Sequence, residues 1–81
     1  LYLQRLKIMT YCIAVFRSRS QAIDCKGALA RAGVKAELVS TPASLNIGCG
    51  LSVKFTLSAY SRVRGIIARA GYSSFYGYLN I

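Results

Sequence analysis

The chain has 81 residues with 11 Lys and Arg against 2 Asp and Glu, a formal charge of +9, and no histidine. This length suffices for one domain, and a hydrophobic fraction of 54% excludes intrinsic disorder, which requires low hydrophobicity with high charge. The longest strongly apolar stretch, Tyr11–Phe16, is far shorter than the roughly 18–20 residues of a membrane-spanning helix. Lack of histidine disfavours most hydrolase chemistry, and the charge indicates an anionic partner.

The first half of the chain predicts a strand, a helix and a second strand. Thr10–Phe16 is rich in β-branched and aromatic residues, as strands are. Gln21–Ala32 carries apolar residues at helical spacing, with Ser20 as the expected N-cap and Gly33 as the expected left-handed C-cap. Val34–Ser40 then predicts a short strand.

The second half predicts the same order after a loop over Thr41–Gly50, which contains the only proline. Leu51–Phe55 alternates apolar and polar residues, which is typical of a half-buried strand. We expect Ser58 to cap a helix over Ala59–Ala70, and Ser74–Ile81 to form a last, aromatic strand.

An internal repeat supports this organisation. Leu29–Gly33 aligns with Ile67–Gly71, and at the same offset Ser20 falls on Ser58. The order βαββαβ predicts an α+β, ferredoxin-like sandwich in which two helices cover one face of a four-stranded antiparallel sheet. Right-handed crossovers then place strands one and three in the centre, flanked by strands four and two.

The domain organisation and compartment follow from simpler features. We expect residues 1–9 to be an N-terminal extension, either a tag or upstream residues, and residues 10–81 to form the single domain. The sequence has no charged segment followed by an apolar segment, so we predict no signal peptide. Three widely spaced cysteines do not form a disulfide framework, so we predict a reducing, cytoplasmic location.

Cys49 is the candidate reactive residue. Gly48 and Gly50 flank it and leave the backbone unshielded. The predicted topology brings it near the N-terminus of the first helix and near Arg17 and Arg19, whose positive charge would favour a thiolate or a bound anion. The alternative is that Cys49 is a small residue that packs inward, in phase with the apolar positions of the third strand.

Cys12 and Cys25 fall on predicted apolar positions, and we expect them to be structural because buried cysteine behaves as a small hydrophobe. No cysteine pair has metal-ligand spacing and no histidine is present. The sequence therefore predicts neither a metal nor another cofactor.

The aromatic residues leave a second functional class open. Phe75, Tyr76 and Tyr78 on the last strand would lie beside Phe16 and Tyr11 on the first. Aromatic residues on an open sheet near Arg and Lys can stack RNA bases, although no segment matches the RNA-recognition signature. The same face could instead bury itself in a homodimer, or have no special role.

Four segments of the chain form a recognisable set: Phe16-Arg17-Ser18, the helix from Ser20 to Gly33, Thr41-Pro42 and Cys49-Gly50-Leu51-Ser52-Val53-Lys54-Phe55. With these segments the chain resembles, over about Thr10 to Ala70, a family of small bacterial proteins, a domain of unknown function classed as selenium/sulfur carrier-like. The resemblance implies that Cys49 is the characteristic cysteine of the family. Members often carry Arg-Glu after the proline, where this chain has Ala43 and Ser44.

We therefore predict a carrier, not an enzyme, that accepts sulfur or selenium on Cys49 as a persulfide-type species and delivers it from a donor protein to an acceptor protein. Arg17 and Arg19 would bind the anion, and the loop would be shaped by Pro42, Gly48 and Gly50. The alternative is a basic RNA-binding or homo-oligomeric module that uses the aromatic sheet face. Neither hypothesis involves a membrane.

Overall fold

The computed structural model describes residues 11–45 and 50–81. Its elements in chain order are β1 (Tyr11–Phe16), α1 (Arg19–Arg31), β2 (Glu37–Ser40), β3 (Leu51–Thr56), α2 (Tyr60–Ala70) and β4 (Phe75–Asn80). Short 3-10 turns lie at Ala43–Leu45 and Leu57–Ala59. No helix within these ranges has the length and apolarity needed to cross a membrane.

The four strands form one antiparallel sheet in the order β2-β3-β1-β4. In the register, Val15 of β1 lies opposite Ser52 of β3 on one side and Gly77 of β4 on the other. This architecture confirms the predicted α+β fold and is consistent with a ferredoxin-like arrangement. The predicted strand order, with strands one and three in the centre, is also confirmed.

The core lies between the sheet and the helices. Alternate residues of β1 (Cys12, Ala14 and Phe16) pack with Leu29 of α1 and Val63 of α2 in one buried cluster. The other face of the sheet, which we call the second face, carries Tyr11, Ile13, Val15, Ser52 and Lys54. Ile13, Val15 and Ser52 on this face are also buried.

The first helix begins earlier than predicted because Ser18, not Ser20, is its N-cap. Ser18 has an extended backbone and its Oγ accepts a hydrogen bond from the Gln21 N–H at 3.3 Å. Ser20 therefore lies inside the first turn. The prediction that Ser58 caps α2 is also wrong, since Ser58 lies within a 3-10 turn and α2 begins at Tyr60 without a side-chain cap.

The first helix ends at a left-handed glycine, as predicted, with a φ of +83° at Gly33. The second helix ends in the same way, with a φ of +66° at Gly71. The second strand is shorter than predicted. The Val34 N–H bonds the Leu29 carbonyl at 2.8 Å, so Val34 still satisfies the end of α1 and regular pairing starts only at Glu37.

The predicted aromatic sheet face is largely wrong. Phe16 is fully buried, and Phe75 and Tyr78 pack against the same helix-side core. Ring centroids lie 5.5 Å apart between Phe16 and Phe75 and 4.9 Å apart between Phe75 and Tyr78. Only Tyr11 and Tyr76 remain as exposed members of that predicted set, at 41% and 46%. The irregular register at Val15/Phe16 shifts the alternation along β4, which the sequence pattern does not reveal.

Candidate functional site

The candidate loop joins β2 to β3 and is closed at its base. The Thr41 N–H donates to the Gly50 carbonyl at 2.9 Å, and Thr41 Oγ1 lies 2.7 Å from Ser52 Oγ. Cys49 and Gly48, predicted as the thiol and its neighbour, lie outside the described residues. The described contacts therefore fix the position of Gly50, the residue that follows Cys49 in the sequence.

Pro42 and Gly50, two of the residues predicted to shape this loop, lie near its two ends. Gly50 is exposed and has a φ of +81°, a conformation that favours glycine. The Pro42 carbonyl accepts a hydrogen bond from the Leu45 N–H at 3.0 Å, which starts the 3-10 turn. Ala43 and Ser44, which stand where the family often has Arg-Glu, are exposed in that turn.

The end of β1 lies at the same end of the sheet. Because Val15 lies opposite Ser52 in an antiparallel pair, continuing the register brings Arg17 level with Gly50. On the other side of β1, the Arg17 N–H donates to the Ser74 carbonyl at 2.9 Å. Helix α1 also begins here, at Arg19, so the base of the loop and the helix N-terminus share one edge, as the topology predicts.

The two predicted anion-binding arginines differ in their surroundings. The Arg17 guanidinium carbon lies 5.3 Å from the Tyr76 ring centroid, a cation–π contact toward β4. Arg19 is exposed at the first position of α1, and the first turn of that helix contains no acidic residue. The described part of this edge is therefore positively charged, although the side chain of Arg17 is turned toward β4 and not toward β3.

Cys12 and Cys25 are free thiols that are fully buried in the helix-side core. Burial raises the pKa of Cys12. Burial, with a contribution from the neighbouring Asp24 carboxylate, raises the pKa of Cys25 to about 11. Both stay protonated at neutral pH, which makes them poor nucleophiles and agrees with the structural role predicted for them.

Residues that the sequence analysis did not single out also organise this edge. Gln21 of α1 accepts hydrogen bonds at Oε1 from the Ser74 N–H and hydroxyl, at 2.9 and 2.7 Å, and its Nε2 lies 3.1 Å from Ser73 Oγ. These contacts tie the segment before β4 to α1. No sequence signal identifies Gln21. Thr41 and Ser52, in contrast, both lie in the quoted motifs Thr41-Pro42 and Cys49–Phe55, although the motifs do not reveal that their hydroxyls meet.

The described ranges, 11–45 and 50–81, contain no group of three or more His, Cys, Asp or Glu side chains that could hold a metal ion.

The comparison with protein families bears directly on this loop. The family model described as "Putative Se/S carrier protein-like" matches residues 11–76. The chain belongs to this family. The match includes β1, α1, the whole candidate loop and α2, and it therefore includes Cys49. No curated protein and no solved structure matches the chain.

Membership of the Se/S carrier-like family confirms the predicted resemblance. The family description suggests a carrier role, and hence partner proteins, without an enzymatic reaction of its own. In this chain, Thr41, Gly50 and Ser52 close the base of the loop that contains Cys49 in the sequence.

Proposed function

We propose that this protein carries sulfur or selenium on Cys49, which it receives from a donor protein and delivers to an acceptor protein. The observation that carries the proposal is the family match over residues 11–76, which spans Cys49. The burial of Cys12 and Cys25 supports it, because the chain has three cysteines and these two are withdrawn from reaction.

The transfer is an exchange of one sulfur atom between thiols. The Cys49 thiolate attacks the outer sulfur of a persulfide on the donor, a new S–S bond forms, and the donor cysteine leaves as a thiolate with the pair of the broken bond. An acceptor thiolate then attacks the outer sulfur on Cys49 in the same way. Neither step needs an external oxidant or reductant, and selenium follows the same path.

The residues around the loop between β2 and β3 have distinct roles in this proposal. Arg17 and Arg19, with the N-terminus of α1, stabilise the thiolate and the persulfide anion. Pro42 fixes the start of the loop, and Gly48 and Gly50 give a partner access to the sulfur. Donor and acceptor are cytoplasmic proteins in this scheme, and acidic surfaces on them would complement the +9 charge.

Loading by a cysteine desulfurase with cysteine tests the site. After incubation without reductant, peptide mass spectrometry should find one added sulfur atom on Cys49, which dithiothreitol then removes. The variant Cys49→Ser should gain no sulfur. The matched variants Cys12→Ala and Cys25→Ala should load as the wild type does, once circular dichroism has established that they fold.

Added sulfur on Cys12 or Cys25, or on no cysteine, would contradict the assignment. The alternative of RNA binding has less support, since Phe16 is buried in the core and Phe75 and Tyr78 pack against it. It predicts that Tyr76→Ala weakens binding to single-stranded RNA while Cys49→Ser does not, with a steep loss of affinity as salt is raised.

A further inference from the structure

Strand β4 is an edge strand of the described sheet, with β1 on its inner side. It has six residues, Phe75–Asn80, of which 77–80 pair with β1 in continuous register. Edge strands are normally protected from pairing with other chains by charged side chains, especially lysine, by proline or by a β-bulge. The irregular pairing of β4 is confined to its first residues, opposite Val15 and Phe16. Residues 70–81 contain neither a charged side chain nor a proline.

That neutral segment is unusual for this chain. All 11 Lys and Arg precede it, the last being Arg69. Two copies of a molecule with charge +9 repel each other over most of their surface. The β4 edge has no charged side chain of its own, and the Arg17 guanidinium that contacts it lies at one end, on Tyr76. The two copies could therefore meet along the rest of this edge without bringing like charges into direct contact.

Some backbone groups of β4 point away from β1, toward the outer edge of the sheet. The Ile81 N–H donates to the Tyr11 carbonyl at 2.9 Å, so this residue faces β1. Backbone groups alternate in direction along an antiparallel strand, and those of Asn80 and Tyr78 therefore point toward the outer edge. Exposed apolar residues lie in or next to this strand: Tyr76, Leu79 and Ile81, with exposed fractions of 46%, 37% and 47%.

We propose that β4 pairs antiparallel with β4 of a second copy of this chain, forming one continuous sheet across a two-fold axis. The interface is isologous, because each copy contributes the same edge. This differs from the homodimer through the sheet face predicted from the aromatic residues, since backbone hydrogen bonds along β4 would hold the two copies together. It is independent of the carrier role of Cys49.

Sedimentation equilibrium of the wild-type protein over a range of concentrations and salt tests the proposal. We expect a reversible monomer–dimer equilibrium that shifts toward dimer as added salt screens the repulsion between the copies. Asn80→Pro removes an outward N–H from each copy and should weaken the dimer about tenfold or more, as expected for two lost hydrogen bonds.

Asn80→Lys, which brings like charges together at the edge, should also favour the monomer. Ser61→Lys adds the same charge at an exposed position of α2 and should keep most of the dimer. Circular dichroism must show that each variant is folded. A wild-type protein that stays monomeric at high salt, or a dimer insensitive to both Asn80 variants, would overturn the proposal. Loss of the dimer in Tyr11→Ser alone would assign the interface to the second face instead.

Discussion

Thr41 Oγ1 and Ser52 Oγ lie 2.7 Å apart and join the first residue of the candidate loop to the strand that follows the loop. Ser52 is fully buried on the second face, so its hydroxyl has little access to water. Together with the bond from the Thr41 N–H to the Gly50 carbonyl, this contact holds the two ends of the loop at a fixed separation. The separation between the two described ends of the loop therefore depends in part on two hydroxyl side chains.

Thr41→Val should lower the free energy of unfolding by about 1–3 kcal/mol, because a buried hydroxyl loses its partner. Ser52→Ala alone should cost a similar amount, and the double variant less than the sum of the two. Urea unfolding of the four proteins measures this coupling. Thr56→Val is the matched control, since the Thr56 hydroxyl bonds Ser58 at an exposed site, and its effect should stay below about 0.5 kcal/mol. Additive effects of Thr41 and Ser52 would contradict the contact.

Gly50→Ala should destabilise the protein by about 1 kcal/mol, because its φ of +81° is unfavourable for a residue with a Cβ. Among the described atoms a Cβ at Gly50 meets nothing within 4 Å, so the cost is conformational. Gly65→Ala, within α2 and equally uncrowded, should instead stabilise by up to about 1 kcal/mol. Thermal unfolding of both variants gives the signs, and a stabilised Gly50→Ala would show that the loop does not need this conformation.

Under the proposed carrier role, in which Arg17 stabilises the Cys49 thiolate, Arg17→Gln should slow alkylation of Cys49 at pH 7 about twofold, since one positive charge contributes on the order of 0.5 kcal/mol to a thiolate. Iodoacetamide labelling followed by peptide mass spectrometry measures the rate at each cysteine. Arg64→Gln, which removes the same charge from an exposed position of α2, should leave the rate unchanged. Equal effects of the two variants would mean that net charge alone acts on Cys49.

Stability should fall on alkaline titration. Burial raises the pKa of Cys25 from 9.0 to about 11, so the folded protein keeps a proton that the unfolded chain loses. The stabilisation is complete below pH 9 and is lost as the pH rises toward 11, by about 2 kcal/mol. Tyr78, whose pKa burial raises to about 12, extends the loss to higher pH.

Denaturant unfolding between pH 8 and pH 11 checks this dependence. Cys25→Ala should be less stable than the wild type at pH 8 but should show a flatter profile above pH 9. An unchanged slope in Cys25→Ala would mean that other groups, such as Cys12, account for the alkaline loss.

Element type and strand order could be predicted from the sequence because they depend on local patterns and handedness rules. The apolar spacing of α1, the left-handed glycines Gly33 and Gly71 and the βαββαβ order suffice for the fold. The orientation of Phe75 and Tyr78 could not be predicted, since it depends on an irregular pairing with β1. Period-2 alternation gives the correct face only where the register is continuous.

Less of the candidate site than of the fold could be predicted from the sequence. Its place at the loop between β2 and β3 follows from topology, and the family match spans that loop. The cap at Ser18 was missed because Ser18 and Ser20, two residues apart, satisfy the same rule, and only backbone geometry distinguishes them. The stacking of Arg17 on Tyr76 joins residues distant in sequence and has no local signal.

The burial of Cys12 and Cys25 has a consequence for the lifetime of any cargo. A persulfide is discharged when a second thiol attacks its inner sulfur, giving a disulfide and releasing the outer atom as sulfide. In this chain the other two cysteines are enclosed and protonated, so neither can resolve a persulfide on Cys49 from within the same molecule. A loaded chain would thus keep its sulfur until a thiol from another molecule attacks it. Because the core encloses the other two cysteines, release of the sulfur would require a collision with a second molecule.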